Sequence, residues 1–246
     1  MKSAIKVLGV PDDINSSFLR GSSAAPPLIR EALYSASSNL FSESGLNLDQ
    51  KGIWEDLGDI EFAGEVAVEN FKKIKTFVKN VLVSDQKLVS LGGDHSISWP
   101  ILDAHLDIWD ALDILHIDAH PDLYDSLLGN KLSHASPFAR IMETGKVSRL
   151  VQVGIRTLNK HQLEQAEKFG VEIYQMKDLT KLSSLSFSKP VYCSIDIDAL
   201  DPAYAPGVSH FEPGGLSTRQ VIDCLNRFKG RLIGADIVEY LSLIHI

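Results

Sequence analysis

The side chains with the clearest chemical potential fall in three short segments: Gly-Gly-Asp-His-Ser at residues 92–96, Asp-Ala-His-Pro-Asp at 118–122 and Asp-Ile-Asp at 196–198. Singly, each is ordinary. An Asp-x-His is more often a surface turn than a metal site, and an Asp-x-Asp after a strand is often a cap. Together they gather His95 and His120 with Asp118, Asp122, Asp196 and Asp198. Carboxylates packed this closely repel and raise one another's pKa values, a cost that one or two divalent cations remove. Imidazole and carboxylate without thiolate suit manganese, iron or zinc better than magnesium or copper(I). The chemistry expected is two-metal hydrolysis, in which bound ions activate water. In extended backbone, residues i and i+2 share a side. Asp118, His120 and Asp122 are therefore expected to point into one space, as are Asp196 and Asp198. Asp94 and Asp201 fall off this register, and Asp94 is expected to orient His95 or hold its loop.

Strands and helices alternate around these segments. Apolar and β-branched runs predict strands over residues 4–9, 87–91, 113–118, 150–155, 171–174, 190–197 and 231–238. Helices are predicted over 26–35, with proline in the first turn, and over 65–83, where Phe71, Ile74, Val78, Val81 and Leu82 share a face. Two more are predicted over 159–169, closed by Gly170, and over 217–228, which opens with the capping-box pattern Ser217-Thr-Arg-Gln220. This alternation predicts an α/β fold of three layers, α/β/α, with a central parallel sheet. No linker, repeat or low-complexity tract divides residues 1–246, so one domain is expected. Ligands of such sheets bind beyond the carboxyl ends of the strands, where all three segments lie.

Composition is that of a globular enzyme: 44% hydrophobic and 23% charged residues among 246. A net charge of −8 argues against nucleic acid as the main partner, since phosphate wants a basic face. No apolar stretch approaches the roughly 20 residues of a membrane span. Strand-like residues begin almost at once, which leaves no room for a targeting peptide and makes a cytoplasmic protein the expectation. Cys193 and Cys224 are read as buried thiols of a reducing compartment. His105, His116 and His161 are read as structural, and Trp54, Trp99 and Trp109 as core or interface residues. Glycines 92, 93, 214 and 215 are expected where the backbone needs positive φ or a close approach.

The three segments, in this order and at these wide spacings, resemble the metal-binding motifs of the ureohydrolase family of arginases and agmatinases: Gly-Gly-Asp-His-Ser, Asp-Ala-His-x-Asp, and Ser-[Phe/Ile]-Asp-[Val/Ile]-Asp-x-Leu-Asp-Pro, matched here at 194–202. Residues 8–21, 118–140, 205–217 and 234–240 are similar to the plant-type arginase branch, whose members are close to agmatinases. The resemblance implies an arginase-like fold and two manganese ions per chain. One ion would take His95, Asp118, Asp122 and Asp196, the other Asp118, His120, Asp196 and Asp198, with Asp118 and Asp196 bridging. It further implies attack of activated water on a guanidinium carbon, with Asp122 orienting the water. His134 matches the family's proton-shuttling histidine, and Glu239 the glutamate that pairs with the guanidinium. His210 borders the expected pocket. Without the resemblance, His134 would be read as an exposed loop histidine and Glu239 as a surface charge. The implied partner is a small guanidino substrate, and the implied assembly a homo-oligomer, trimer or hexamer.

Two departures from the family pattern shape the expectations. Animal and bacterial arginases read the amino-acid end of arginine with an Asn where this chain has Tyr124, and with an acidic residue where it has Asn159. Lost partners for those charges cost selectivity, which tilts the reading toward agmatine, cleaved to putrescine and urea, over arginine; both positions are candidate substrate contacts. The residues after Tyr240 do not resemble the family's continuation, and a missing C-terminal helical segment is expected. The competing readings are a single-zinc deacetylase-like enzyme on the same fold and an inactive truncated homologue.

Overall fold

Runs rich in Val, Ile and Leu build the sheet because β-branched and aliphatic side chains suit strands buried on both faces. The computed structural model describes residues 5–82, 86–181 and 185–242. The tail 243–246, and the expected strand and helix ends at Ala4 and Val83, lie outside them. In chain order the elements are β1 (Ile5–Val10), α1 (Ala25–Leu33), β2 (Trp54–Asp59), α2 (Ala67–Leu82), β3 (Lys87–Gly92), α3 (Ser98–Leu106) and β4 (Leu112–Ile117). Then come α4 (Pro137–Glu143), β5 (Val147–Ile155), α5 (Lys160–Phe169), β6 (Glu172–Gln175), β7 (Ser186–Asp196), α6 (Thr218–Arg227) and β8 (Lys229–Val238).

Among the described residues the strands form one eight-stranded sheet in the order β2-β1-β3-β8-β7-β4-β5-β6, every pairing parallel. The three-layer expectation holds. Successive strand residues face opposite layers: Ile114 packs with α2, α3 and α4, and Leu115 with α6. Ile114 is fully buried in the larger core. Ile114→Ala is expected to cost about 2–5 kcal/mol, as large-to-small core changes do, read by urea unfolding of the metal-free protein.

The topology decides where chemistry can occur. The chain leaves β3, builds β4 to β6 on the far half, and returns with β7 and β8 to fill the gap between β3 and β4. The four central strands β3, β8, β7 and β4 therefore end side by side although they are far apart in sequence.

Three elements carry no clear signature in the sequence. β2 is an edge strand, WEDLGD, whose acidic exposed residues carry no strand signature. α3 buries seven of its nine residues, so it has no polar face to reveal a helical period. α4 spans only seven residues. Trp99 lies on α3, partly buried against the larger core, as is Trp109, while the Trp54 indole N–H donates to the Leu48 carbonyl at 2.9 Å.

Candidate metal centre

The three His- and Asp-bearing segments converge through turns, not through the extended backbone that alternation of residues i and i+2 assumes. β4 stops at Ile117, and Asp122 adopts a left-handed φ of 50°. Asp198 sits in a 3-10 turn, Ile197–Ala199, capped by the Asp196 carboxylate, whose Oδ1 accepts the Asp198 N–H at 2.8 Å. Glu239, just past β8, is also left-handed, at φ 64°. Non-glycine residues pay roughly 1–3 kcal/mol for such backbone and keep it where surroundings enforce it, often at functional sites. The Glu239 N–H is pinned to the Gly93 carbonyl at 2.9 Å. Gly93 is obligatory there, since a Cβ would lie 1.9 Å from the Asp12 carbonyl oxygen. Gly92 and Gly215 also serve close approaches, and Gly214 a positive φ of 83°.

The fully buried His95 ring turns Nδ1 to three carboxylate oxygens: Asp122 Oδ2 at 3.0 Å, Asp118 Oδ2 at 3.2 Å and Asp196 Oδ2 at 3.2 Å. Its other nitrogen is fixed by a buried chain. The Ser194 hydroxyl donates to Asp236 Oδ1 at 2.6 Å, so it accepts from His95 Nε2–H at 2.9 Å. Tyr192 and Ser98 donate to the same carboxylate at 2.8 and 2.9 Å. Nδ1 thus faces three carboxylate oxygens and makes no well-aligned hydrogen bond to any of them. Burial alone would push the His95 pKa down; the carboxylates override it and hold it well above the ordinary value. Burial and then Asp198 push Asp196 well above the carboxylate range. Three carboxylates around one ring nitrogen favour a positive charge between them, which either a proton on Nδ1 or a bound cation supplies.

A second such position adjoins it. His120 Nδ1 lies 3.0 Å from Asp198 Oδ2 and 3.5 Å from Asp118 Oδ1. Asp118 thus shows one oxygen to each histidine. Asp118, His120 and Asp198 form one compact donor group, and His95, His116 and Asp118 another. These donors, all nitrogen and carboxylate oxygen, could hold a cation at each position. Burial and then Asp118 raise Asp198 to about 6.

A cavity of about 230 Å³ opens over the second position. His120, Asp122, Asp196, Asp198, His134 and Glu239 all reach its lining, as do Tyr124 and His210. His134 Nδ1 donates to Glu239 Oε1 at 2.9 Å, and its Nε2 lies 2.8 Å from the Ser17 hydroxyl. Burial opposes charge on His134, but the Glu239 carboxylate wins and lifts its pKa to about 9. Glu239 Oε1 also accepts the His95 backbone N–H at 2.9 Å. The His210 ring stands 5.6 Å from both His120 and His134.

Asn159 is the exception among the expected site residues, since it does not line the cavity. It caps α5, accepting the Gln162 N–H at 2.9 Å, and its Nδ2 donates to the Tyr124 hydroxyl at 2.5 Å. Asp94 holds the loop, accepting from Ser96 N at 2.9 Å and Asn15 N at 3.0 Å, and Asp201 anchors Gly214 N at 2.7 Å. His105 is buried against Tyr192, as expected of a structural residue. His161 stacks on Tyr124 at the cavity wall. His116 contacts Asp118 directly, at 2.7 Å, which a purely structural reading missed. Both cysteines pack in the smaller core, away from the cavity lining.

Three further contributors escaped sequence reasoning. Glu212 lines the cavity, 3.4 Å from His120 Nε2, only two residues past His210. Asp236 lies in the recognised 234–240 segment but does its work far away in sequence. Arg156 ties three loops together, donating to the carbonyls of Asp198 at 2.7 Å, Ala199 at 3.2 Å and Glu212 at 2.6 Å.

Residues 3–244 match the arginase family. The chain belongs to that family. It is 47% identical over 253 residues to "Arginase 2, chloroplastic/mitochondrial" of Arabidopsis thaliana, covering 97% of this chain and 74% of that relative. It is 36% identical over 249 residues to an N(1)-aminopropylagmatine ureohydrolase of Thermus thermophilus, covering 97% and 83%. The solved arginase from Medicago truncatula superposes with a TM-score of 0.92 at 44% identity, covering 97% of this chain and 79% of the other. The arginase-family chain is therefore a ureohydrolase, a hydrolase of guanidino compounds. Among its described residues no helix is long and apolar enough to cross a membrane.

Proposed function

We propose that this chain hydrolyses arginine to ornithine and urea at a dinuclear manganese centre. The observation that carries this is Asp118 set between His95 and His120 at the foot of a cavity walled by His134 and Glu239, in a chain more similar to a plant arginase than to an agmatine-type ureohydrolase. His95, Asp118, Asp122 and Asp196 would hold one ion, and Asp118, His120, Asp196 and Asp198 the other. When bound, the ions supply Lewis acidity and an activated water at neutral pH.

The chain's own groups do the rest. The buried Glu239 carboxylate pairs with the planar N–H edge of the guanidinium and orients it. Asp122 accepts a hydrogen bond from the attacking water. His134, held protonated by Glu239, gives the Nε2 proton to the departing amine. Tyr124 and His210 bound the substrate's outer part.

The tilt toward agmatine is weakened in one of its two supports. Asn159 caps a helix and reaches the cavity only through its hydrogen bond to Tyr124, so its lack of charge is weak support for a substrate without an amino-acid end. With manganese added, urea release is expected to show a kcat/KM at least tenfold higher for arginine than for agmatine, about the worth of 1.4 kcal/mol. An agmatine value equal or higher would overturn the arginine reading and leave the family untouched. A trimeric or hexameric homo-oligomer belongs to the same proposal and is checked by light scattering. So does the cytoplasmic placement, which competes with the organelles in the Arabidopsis relative's name; a fluorescent fusion decides between them.

A further inference from the structure

His116 stands on β4 directly opposite Gln152 on β5, the two being register partners in the parallel ladder. Both are fully buried, and neither lines the cavity. By distance alone His116 groups with His95 and Asp118 as a possible metal ligand. Hydrogen-bond chemistry gives it another part. Gln152 Nε2 lies 2.6 Å from the Pro121 carbonyl oxygen and 3.0 Å from His116 Nδ1. A carbonyl only accepts, so the amide nitrogen, not its oxygen, faces Pro121, and its second N–H points at Nδ1. Nδ1 therefore accepts. The ring proton is left on Nε2, 2.7 Å from Asp118 Oδ2. A nitrogen bearing that proton has no lone pair for a cation. Phe138 stacks on the ring, with centroids 3.9 Å apart, and stands edge-on to His95 at 5.3 Å, so neither ring can turn freely.

We infer that His116 is a positioning residue: with Gln152 and the Pro121 carbonyl it forms a relay that donates to Asp118 Oδ2 and fixes the rotation of the carboxylate shared by the two cation positions. Pro121 lies between His120 and Asp122, so the same amide also holds the loop that carries both. The inference rests on the proposed metal centre.

The test is manganese titration of the metal-free full chain, followed by electron paramagnetic resonance of free manganese, with nitrogen-15 NMR of the histidine rings. His116→Phe keeps the ring and its stack on Phe138 but loses the donor. Its manganese affinity is expected to fall about 10–100-fold, the usual cost of losing a group that orients a ligand. Two ions should still bind at saturation, with KM for the guanidino substrate unchanged. His116→Gln, whose amide N–H can reach the same carboxylate, is expected to recover most of the loss. Gln152→Leu, which removes the relay from its outer end, should weaken affinity without touching Asp118 or His116, and stands in if His116→Phe does not fold. In wild-type protein the His116 signals should show a protonated Nε2 and an unprotonated Nδ1. Wild-type affinity in His116→Phe would reduce the ring to packing. Saturation at one ion in His116→Phe, or loss of the Nε2 proton when wild type is loaded with diamagnetic zinc in place of manganese, would make His116 a ligand, and either result overturns the relay. If wild type itself binds no manganese, the metal-centre reading fails instead, and the NMR signature still judges the relay.

Discussion

Asp118→Asn is expected to abolish urea release and weaken manganese binding by more than about a hundredfold, beyond the 10–100-fold cost of losing a mere supporting group. The side chain is fully buried and is approached by three imidazoles: His116 at 2.7 Å, His95 at 3.2 Å and His120 at 3.5 Å. Burial would raise its pKa, but His116 and then the other histidines hold it well below the carboxylate range, so it stays ionised. Asparagine keeps the shape and removes the charge. Its amide must also turn two N–H donors toward either the His116 Nε2 proton or one of the cation positions, and each choice sets like against like. Metal content by elemental analysis and urea release at saturating manganese check the expectation. The wild-type control is removal of metal by a chelator, which should stop urea release, and its restoration by added manganese. Near-normal urea release from Asp118→Asn would refute the shared-ligand assignment.

His134→Asn is expected to lower kcat about 10²–10⁴-fold, the range for losing a general acid, with manganese content unchanged. The separation follows from geometry: His134 touches Glu239 and Ser17, not the oxygens that face His95 and His120. A loss under tenfold would remove His134 from the acid role. Its titration makes a second claim. The folded pKa is raised, from 6.5 to about 9, against burial and by Glu239. A raised histidine contributes stability that is complete below 6.5 and disappears as pH climbs to about 9. In metal-free protein the stability gap between wild type and His134→Asn should therefore be widest below pH 6.5 and close between 6.5 and 9. A gap that widens with pH would contradict the His134–Glu239 pairing.

Much of the fold was legible because parallel strands are apolar runs punctuated by glycine and by helix signals. The Ser217 capping box forms as expected, with Gln220 accepting the Ser217 N–H at 2.8 Å. β2 and α3 failed to announce themselves because one is exposed on an edge and the other is buried nearly all round, so neither carries a period. Asn159 teaches the opposite lesson. Its helix-cap chemistry is local and typical of Asn, whereas a substrate contact at this position follows only from the family resemblance.

What the sequence alone supplied is the set of candidate donors. Three compact segments at strand ends name His95, Asp118, His120, Asp122, Asp196 and Asp198, because each motif is local and a parallel sheet brings its strand ends to one edge. Tertiary structure decided how those donors are aimed. Glu239 meets His95 across 144 positions of sequence, and Asp236 reaches Ser98 across 138. Gln152 meets His116 only because β5 pairs with β4 in that register. Hydrogen bonds between residues so far apart leave no local pattern. The rotation of each ring and carboxylate, and with it the choice between ligand and donor, exists only once the sheet has closed.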